Sequence, residues 1–171
     1  YYMTKQFINI NEPQLGIDEI NTVCDIIKSG NLSSASLIGG PHVQKFEKAF
    51  SKYNNCKYSV AVNSGTSALF ASLLSLNIKQ GDEVIIPSFT FNATAGSVVA
   101  VGAKPVFIDI TRDDYNLDTN LIVKLITKKT KAIITVHLYC RPSNMKEIMK
   151  ISKSYGLCVI EDASQALGSK Y

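Results

Sequence analysis

Five short apolar runs, separated by helical segments, are the feature that most constrains the fold of this chain. The runs are YSVAV (58–62), EVIIP (83–87), PVFIDI (105–110), KAIITV (131–136) and LCVIE (157–161). The spacing of apolar residues predicts helices at 66–76, about 92–101, 119–127 and 144–155 between them. Strands that are apolar nearly throughout are typically buried on both faces, and alternation with helices favours a parallel sheet. We therefore expect an α/β fold with a three-layer, doubly wound, mainly parallel sheet.

The segment that precedes these runs has a different pattern. Residues 1–40 are expected to form an N-terminal helix, from Pro13 to about Lys28, and then the loop NLSSASLIGG at 31–40. Pro41 stands at a position that favours the start of a second helix. We therefore assign residues 41–171 to the first part of a large domain.

Composition excludes several classes of protein. The 171 residues are 46% hydrophobic and 19% charged, which suits one globular domain or most of one. The net charge is only +4, and the most basic stretch, KLITKKTK at 124–131, has no interleaved aromatic residues, so no nucleic-acid partner is expected. The four cysteines are far apart and there are only two histidines, which argues against a zinc site or a disulfide framework and fits a reducing cytoplasm; no metal is expected. The sequence has no apolar span long enough to predict a membrane segment.

The stretch VIEDASQALGS at 159–169 carries two acids at the end of an apolar run. Asp162 and Gln165 have the spacing of a capping box at the start of a helix. Asp162 could instead hold a cofactor, because ligands of open α/β sheets bind beyond the carboxyl ends of the strands. The stretch alone leaves both readings open.

A second stretch, NSGTSALFASL at 63–73, follows the first strand-like run. Gly65, Thr66 and Ser67 would offer a tight turn, hydroxyl groups and free N–H groups at a helix start, which suits a phosphate. The stretch lacks the P-loop and dinucleotide-binding patterns. Taken alone, serine and threonine at such a position are more often simple N-caps.

Two aromatic residues, Phe89 and Phe91, follow the run EVIIP. We expect one of them to pack inward and the other to lie over a flat ligand. By itself the segment favours two core aromatics. Together, the three strand ends offer an anion site, an aromatic plate and a carboxylate, which are the groups that pyridoxal phosphate requires.

Five motifs in this order resemble the DegT/DnrJ/StrS group of sugar aminotransferases: SGTSAL, GDEVIIPSFTFNATA, GAKPVFIDI, KAIITVHLY and VIEDASQALGS. The resemblance extends from about Pro13 to the last residue. It implies the fold of aspartate aminotransferase and pyridoxal 5'-phosphate as the cofactor, alternating with its pyridoxamine form. It also implies a nucleotide-linked keto-sugar as substrate, with glutamate as the amino donor. A homodimer with active sites at the interface is implied as well; the 31–40 loop either contributes to them or is a flexible connection.

The resemblance assigns roles residue by residue. Gly65, Thr66 and Ser67 would hold the cofactor phosphate, and Phe91, rather than Phe89, would stack on the ring. Asp162 would pair with the pyridine nitrogen, and Gln165 would hydrogen-bond the phenolic oxygen of the ring.

The chain also departs from the family pattern. After VHLY the family usually has glycine, whereas this chain has Cys140 and Arg141. Arg141 could face a substrate phosphate or be a solvated surface side chain, and His137 is interpreted as structural. The lysine that forms the Schiff base is expected downstream of Tyr171. We therefore expect an amino-terminal portion of the large domain, with no catalytic residue among its 171 positions and no activity on its own.

Two alternatives remain at this stage. The same fold would also suit a pyridoxal-phosphate-dependent sugar dehydratase or a regulatory relative. A non-catalytic nucleotide- or phosphate-binding α/β module would bind an anion at residues 65–67 without needing Asp162.

Overall fold

A computed structural model describes residues 12–34 and 38–171 of the chain. The predictions for residues 1–11, and for residues 35–37 of the 31–40 loop, lie outside the described residues. The helices and strands, in chain order, are α1 (Ile17–Ser29), α2 (Pro41–Tyr53), α3 (Gly65–Ser75), β1 (Glu83–Pro87), α4 (Ala93–Ala100), β2 (Lys104–Ile108), α5 (Thr119–Leu125), β3 (Thr130–Val136), α6 (Met145–Tyr155) and β4 (Cys158–Asp162). A short 3₁₀ turn, Leu138–Cys140, follows β3.

The chain divides into two compact units, one ending at Ala61 and the other covering Val62–Tyr171. The domain boundary predicted between residues 40 and 41 stays a prediction. Among the described residues of the first unit, α1 and α2 contain no buried residue. Helix α1 begins at Ile17 rather than at Pro13, and it ends at Gly30, whose φ of 68° is readily adopted only by glycine.

The second unit contains a four-stranded parallel sheet with the order β2-β1-β3-β4. The chain passes from β1 outward to β2 and then returns to place β3 on the other side of β1. The direction of winding thus reverses between β1 and β3, where doubly wound sheets form a crevice for ligands. The predicted parallel α/β fold is confirmed.

Helices cover both faces of this sheet because consecutive residues of a strand point to opposite faces. On one face, Val84, Ile86 and Ile134 belong to a buried cluster with residues of α3 and α4. On the other face, Ile85 and Ile133 pack with residues of α5 and α6. Three layers result, with a hydrophobic core on each side of the sheet.

The degree of burial distinguishes central strands from edge strands. All five residues of the central strand β1 are buried. The edge strands β2 and β4 contain exposed residues, including Phe107 and Glu161. Burial on both faces, which we expected for every strand, therefore holds for the centre of the sheet.

The strand predicted at 58–62 is wrong: the structure has no strand there. Ala61 donates its N–H to Oε1 of Glu47 in α2 at 2.8 Å, and the Ser59 hydroxyl donates to the Glu47 carbonyl oxygen. Tyr58 and Val60 are exposed. A sequence of high β propensity needs a neighbouring strand to complete its hydrogen bonds, and no strand of the described residues pairs with this segment.

Among the described residues, no helix is both long enough and apolar enough to span a membrane.

Candidate cofactor site

A cavity of about 300 Å³ lies within the second unit, beyond the carboxyl ends of β1, β3 and β4. This is the side of the sheet on which the reversal between β1 and β3 opens a crevice. Five of the six residues predicted to bind the cofactor line the cavity. The lining residues are Gly65, Thr66, Leu69, Thr90, Phe91, Ala93, Thr94, Val136, Asp162, Ser164 and Gln165.

The first turn of α3 forms one wall. Its N-cap is Ser64, whose hydroxyl oxygen accepts a hydrogen bond from the Ser67 N–H at 3.1 Å. The N–H groups of Gly65 and Thr66 have no acceptor within the helix, as at every helix start. Two donors at the positive end of the helix dipole therefore face the cavity, and they favour an anion there.

Ser67 differs from its two predicted neighbours. Its N–H is used by the cap, its hydroxyl hydrogen-bonds Ser64 Oγ at 3.0 Å, and it is not among the residues that line the cavity. Its part in holding a phosphate stays a prediction.

The turn after β4 forms the opposite wall and approaches α3 closely. A Cβ atom added to Gly65 would lie 3.4 Å from the Ser164 hydroxyl oxygen. The helix start and the β4 turn are thus close neighbours at this small cavity.

Asp162 ends β4 with one carboxylate oxygen engaged and the other free. Oδ1 accepts hydrogen bonds from the N–H of Ser164 at 3.1 Å and from its hydroxyl at 2.6 Å. Oδ2 has no hydrogen-bond partner in the described part of the chain. Asp162 therefore caps a turn and still offers one anionic oxygen to a ligand.

The capping-box reading of Asp162 and Gln165 is wrong. Residues 163–171 form turns rather than a helix. Gln165 Oε1 accepts the N–H of Tyr139 at 3.0 Å instead of serving a helix start. Because the carbonyl oxygen of the amide is used in this way, its NH₂ group remains for a ligand, and Gln165 acts toward the cavity as a donor.

The two aromatic residues have different surroundings, but neither packs inward, as was expected for one of them. Phe91 lines the cavity and is 72% exposed. Phe89 is 47% exposed, and its ring lies against Tyr115 with centroids 6.1 Å apart. Neither residue is buried, so the reading of two core aromatics is wrong.

Behind the cavity, His137 fixes the backbone of the two adjacent strand ends. It is buried, its N–H donates to the Asp162 carbonyl at 3.0 Å, and its Nδ1 accepts the N–H of Ser143 at 3.1 Å. Since Nδ1 is an acceptor, the ring proton is on Nε2, which donates to Glu161 at 3.0 Å. These contacts agree with a structural histidine.

Arg141 is exposed, and its Nη1 donates to the Asp113 carbonyl at 2.7 Å. Its charge also affects Asp114. Burial acts to raise the pKa of Asp114, but hydrogen bonds from Thr111 and Asn116 and the charge of Arg141 outweigh it, so the pKa is lowered. Within the described ranges, no cluster of three or more His, Cys, Asp or Glu side chains could hold a metal ion.

Comparison with known proteins identifies the group to which this arrangement belongs. The sequence profile of the DegT/DnrJ/EryC1/StrS aminotransferase family matches residues 13–171. The chain belongs to this family. The resemblance drawn from the five motifs is confirmed.

The chain is similar to several named proteins. The chain is 39% identical to a GDP-perosamine synthase of Escherichia coli O157:H7, over 97% of this chain and 44% of that protein. It is 40% identical to the 3-oxo-glucose-6-phosphate:glutamate aminotransferase of Bacillus subtilis, over 88% and 33% of the two chains. A crystal structure of an aminotransferase from Psychrobacter cryohalolentis superposes with a TM-score of 0.88 at 36% identity, covering 93% of this chain and 40% of that one. The chain thus spans less than half the length of these relatives.

Two cavity features were not predicted from sequence. Ser64, rather than Thr66 or Ser67, caps α3, and Ser164 orients the Asp162 carboxylate. A signal for both existed. Serine directly before Gly65 is a favoured N-cap, and an aspartate side chain commonly accepts a hydrogen bond from the backbone two residues on.

Proposed function

We propose that the protein carrying this chain is a pyridoxal-phosphate-dependent aminotransferase that transfers an amino group from glutamate to a nucleotide-linked keto-sugar. The observation that carries the proposal is that a helix start and a carboxylate share one cavity. The N–H groups of Gly65 and Thr66 attract an anion, whereas Asp162 attracts a cation. A simple phosphate-binding module would gain nothing from the carboxylate, which repels its ligand.

The donor set fits pyridoxal phosphate. Its phosphate is the anion suited to the α3 start, and its flat ring matches the exposed face of Phe91. Its protonated pyridine nitrogen matches Oδ2 of Asp162, and its phenolic oxygen matches the NH₂ group of Gln165. Bound in this way, the cofactor supplies an electron sink, and the role of Asp162 is to hold the proton on the pyridine nitrogen.

The substrate class and the donor rest on the relatives. A GDP-perosamine synthase and a 3-oxo-glucose-6-phosphate:glutamate aminotransferase, both about 40% identical, support a keto-sugar acceptor and glutamate as the donor. A homodimer, and a cofactor-binding lysine outside these 171 residues, are part of the same proposal.

The test uses the full-length protein. Pyridoxal phosphate alone is titrated and followed by absorbance; the protein is then incubated with glutamate and a nucleotide-linked 4-keto sugar. We expect saturable cofactor binding, release of 2-oxoglutarate and an amino-sugar product identified by mass spectrometry. A product that has lost water without gaining nitrogen would indicate a dehydratase, and binding of inorganic phosphate but not of pyridoxal phosphate would indicate a phosphate-binding module.

A further inference from the structure

A turn beside the cofactor cavity has a backbone conformation that side chains disfavour. In the turn Leu138–Cys140, Tyr139 has a φ of 51° and Cys140 a φ of 62°. Both values lie in the left-handed region, where residues other than glycine are uncommon. Two such residues in succession need contacts from outside the turn to hold them.

Asn116 supplies those contacts at both ends of the turn. It lies between β2 and α5 and is only 2% exposed. Its Nδ2 donates to the Arg141 carbonyl at 3.1 Å, and its Oδ1 accepts the Leu138 N–H at 3.3 Å. One amide therefore satisfies a donor before the left-handed pair and an acceptor after it.

The backbone of Asn116 is itself anchored. Its N–H donates to Asp114 Oδ1 at 3.0 Å, and its carbonyl accepts the Thr111 N–H at 2.9 Å. The side chain thus extends from a fixed point, so that it can impose a position on the turn.

The turn Leu138–Cys140 also holds Gln165 in place. The Tyr139 N–H donates to Gln165 Oε1 at 3.0 Å, and the Cys140 thiol donates to the Gln165 carbonyl at 2.9 Å. The Tyr139 N–H decides which end of the Gln165 amide faces the cavity. Rotation of this peptide group would remove the donor and free the amide to turn over.

We propose that Asn116 is a positioning residue that acts through the turn Leu138–Cys140 to direct the NH₂ group of Gln165 toward the ligand. The inference rests on the proposed function, since the ligand is the cofactor named there. Asn116 does not itself line the cavity, so any effect of its removal on binding has to pass through other residues.

The first experiment is a mutant cycle in the full-length protein. We expect Asn116→Ala to raise the Kd for pyridoxal phosphate about tenfold, the loss of one hydrogen bond. Gln165→Ala should have a similar effect, and the double variant should be no worse than Gln165→Ala alone, because both changes remove the same contact. Ile122→Ala, a fully buried core change on α5, is the destabilised control and should leave the Kd unchanged.

The second experiment uses the backbone strain. Glycine adopts the left-handed conformation without strain, so the turn should need Asn116 less in a Cys140→Gly background. We expect Asn116→Ala to raise the Kd by a smaller factor in that background than in the wild-type protein. A purely structural role of Asn116 would give the same factor in both.

Each result decides between two proposals. If the wild-type protein binds pyridoxal phosphate and Gln165→Ala weakens it, but Asn116→Ala does not, the positioning inference is overturned and the proposed function stands. If the wild-type protein does not bind pyridoxal phosphate, the proposed function fails. Control of the turn by Asn116 is then tested by hydrogen exchange of the Tyr139 N–H. Faster exchange in Asn116→Ala supports control of the turn, and unchanged exchange refutes it.

Discussion

Replacing Asp162 by asparagine tests separately its observed contact with Ser164 and its proposed contact with the cofactor. Oδ1 accepts two hydrogen bonds from Ser164, at 3.1 and 2.6 Å, and an amide oxygen can accept both. Asparagine and aspartate cap turns about equally well, so the free energy of unfolding should change by less than about 0.5 kcal/mol. The structural contact therefore survives the substitution.

The proposed contact with the pyridine nitrogen of the cofactor should not survive. Because Ser164 holds the oxygen, the NH₂ group of the new amide takes the place of Oδ2 and meets the pyridine N–H donor to donor. Loss of a hydrogen bond to a charged group costs about 1.5–3 kcal/mol, which is roughly one to two orders of magnitude in Kd. Turnover should fall further, since the pyridine nitrogen loses the group that keeps it protonated.

The assay pairs cofactor titration and turnover of the full-length protein with urea denaturation. Asp118→Asn is the matched control: Asp118 caps α5 by accepting the Asn120 N–H at 2.9 Å, and it does not line the cavity. Near-normal Kd and turnover in Asp162→Asn would show that this carboxylate serves the turn alone. An equal loss in both variants would point to a general effect of removing an aspartate charge.

Three further predictions concern other parts of the second unit. Thr66→Ala removes a hydroxyl with no partner among the described residues, so it should weaken pyridoxal phosphate binding by about 1.5–3 kcal/mol with little change in the urea midpoint; an unchanged Kd would locate the anion site elsewhere. The pKa of Asp114 is lowered in the folded state, so its stabilisation is present at neutral pH and is lost as the pH falls through that lowered value. Asp114→Asn should therefore flatten the dependence of the urea midpoint on pH between neutrality and about pH 3, and an unchanged slope would refute this. Ile122→Ala, at a fully buried position, should lower the free energy of unfolding, measured in urea, by about 2–5 kcal/mol. A loss below about 1 kcal/mol would mean that neighbouring side chains move in to fill the space left by the isoleucine.

The sequence predicted the centre of the sheet better than its margin. The run EVIIP became β1 at the predicted residues, because a strand buried on both faces is apolar throughout. The run YSVAV failed because its pattern describes a strand only if a neighbour completes the ladder. That information lies in other parts of the fold, not in residues 58–62.

The cavity was predictable to a similar extent. Phe91 and Asp162 follow different strands, yet they converge because the carboxyl ends of parallel strands lie on the same side of the sheet, whereas Gly65 reaches the cavity from the start of α3. The orientation of the Gln165 amide was not predictable, because it is set by the Tyr139 N–H, 26 positions away along the chain. Contacts of this kind depend on an unusual backbone conformation that the residue types at 139 and 140 do not indicate.

Asp162 stands at the end of an edge strand, where a precisely held carboxylate is not expected. Strand β4 pairs with β3 alone, and its partner register ends at Val136 and Asp162. Beyond that point the ladder is replaced by single contacts. The His137 N–H holds the Asp162 carbonyl and the Nε2 of the same residue holds Glu161, while Ser164 holds Oδ1. These contacts fix the backbone on both sides of the carboxylate and one of its two oxygens, so the remaining oxygen has a defined direction without a second neighbouring strand. His137 is buried and does not line the cavity, yet it is thereby tied to the position of the Asp162 carboxylate.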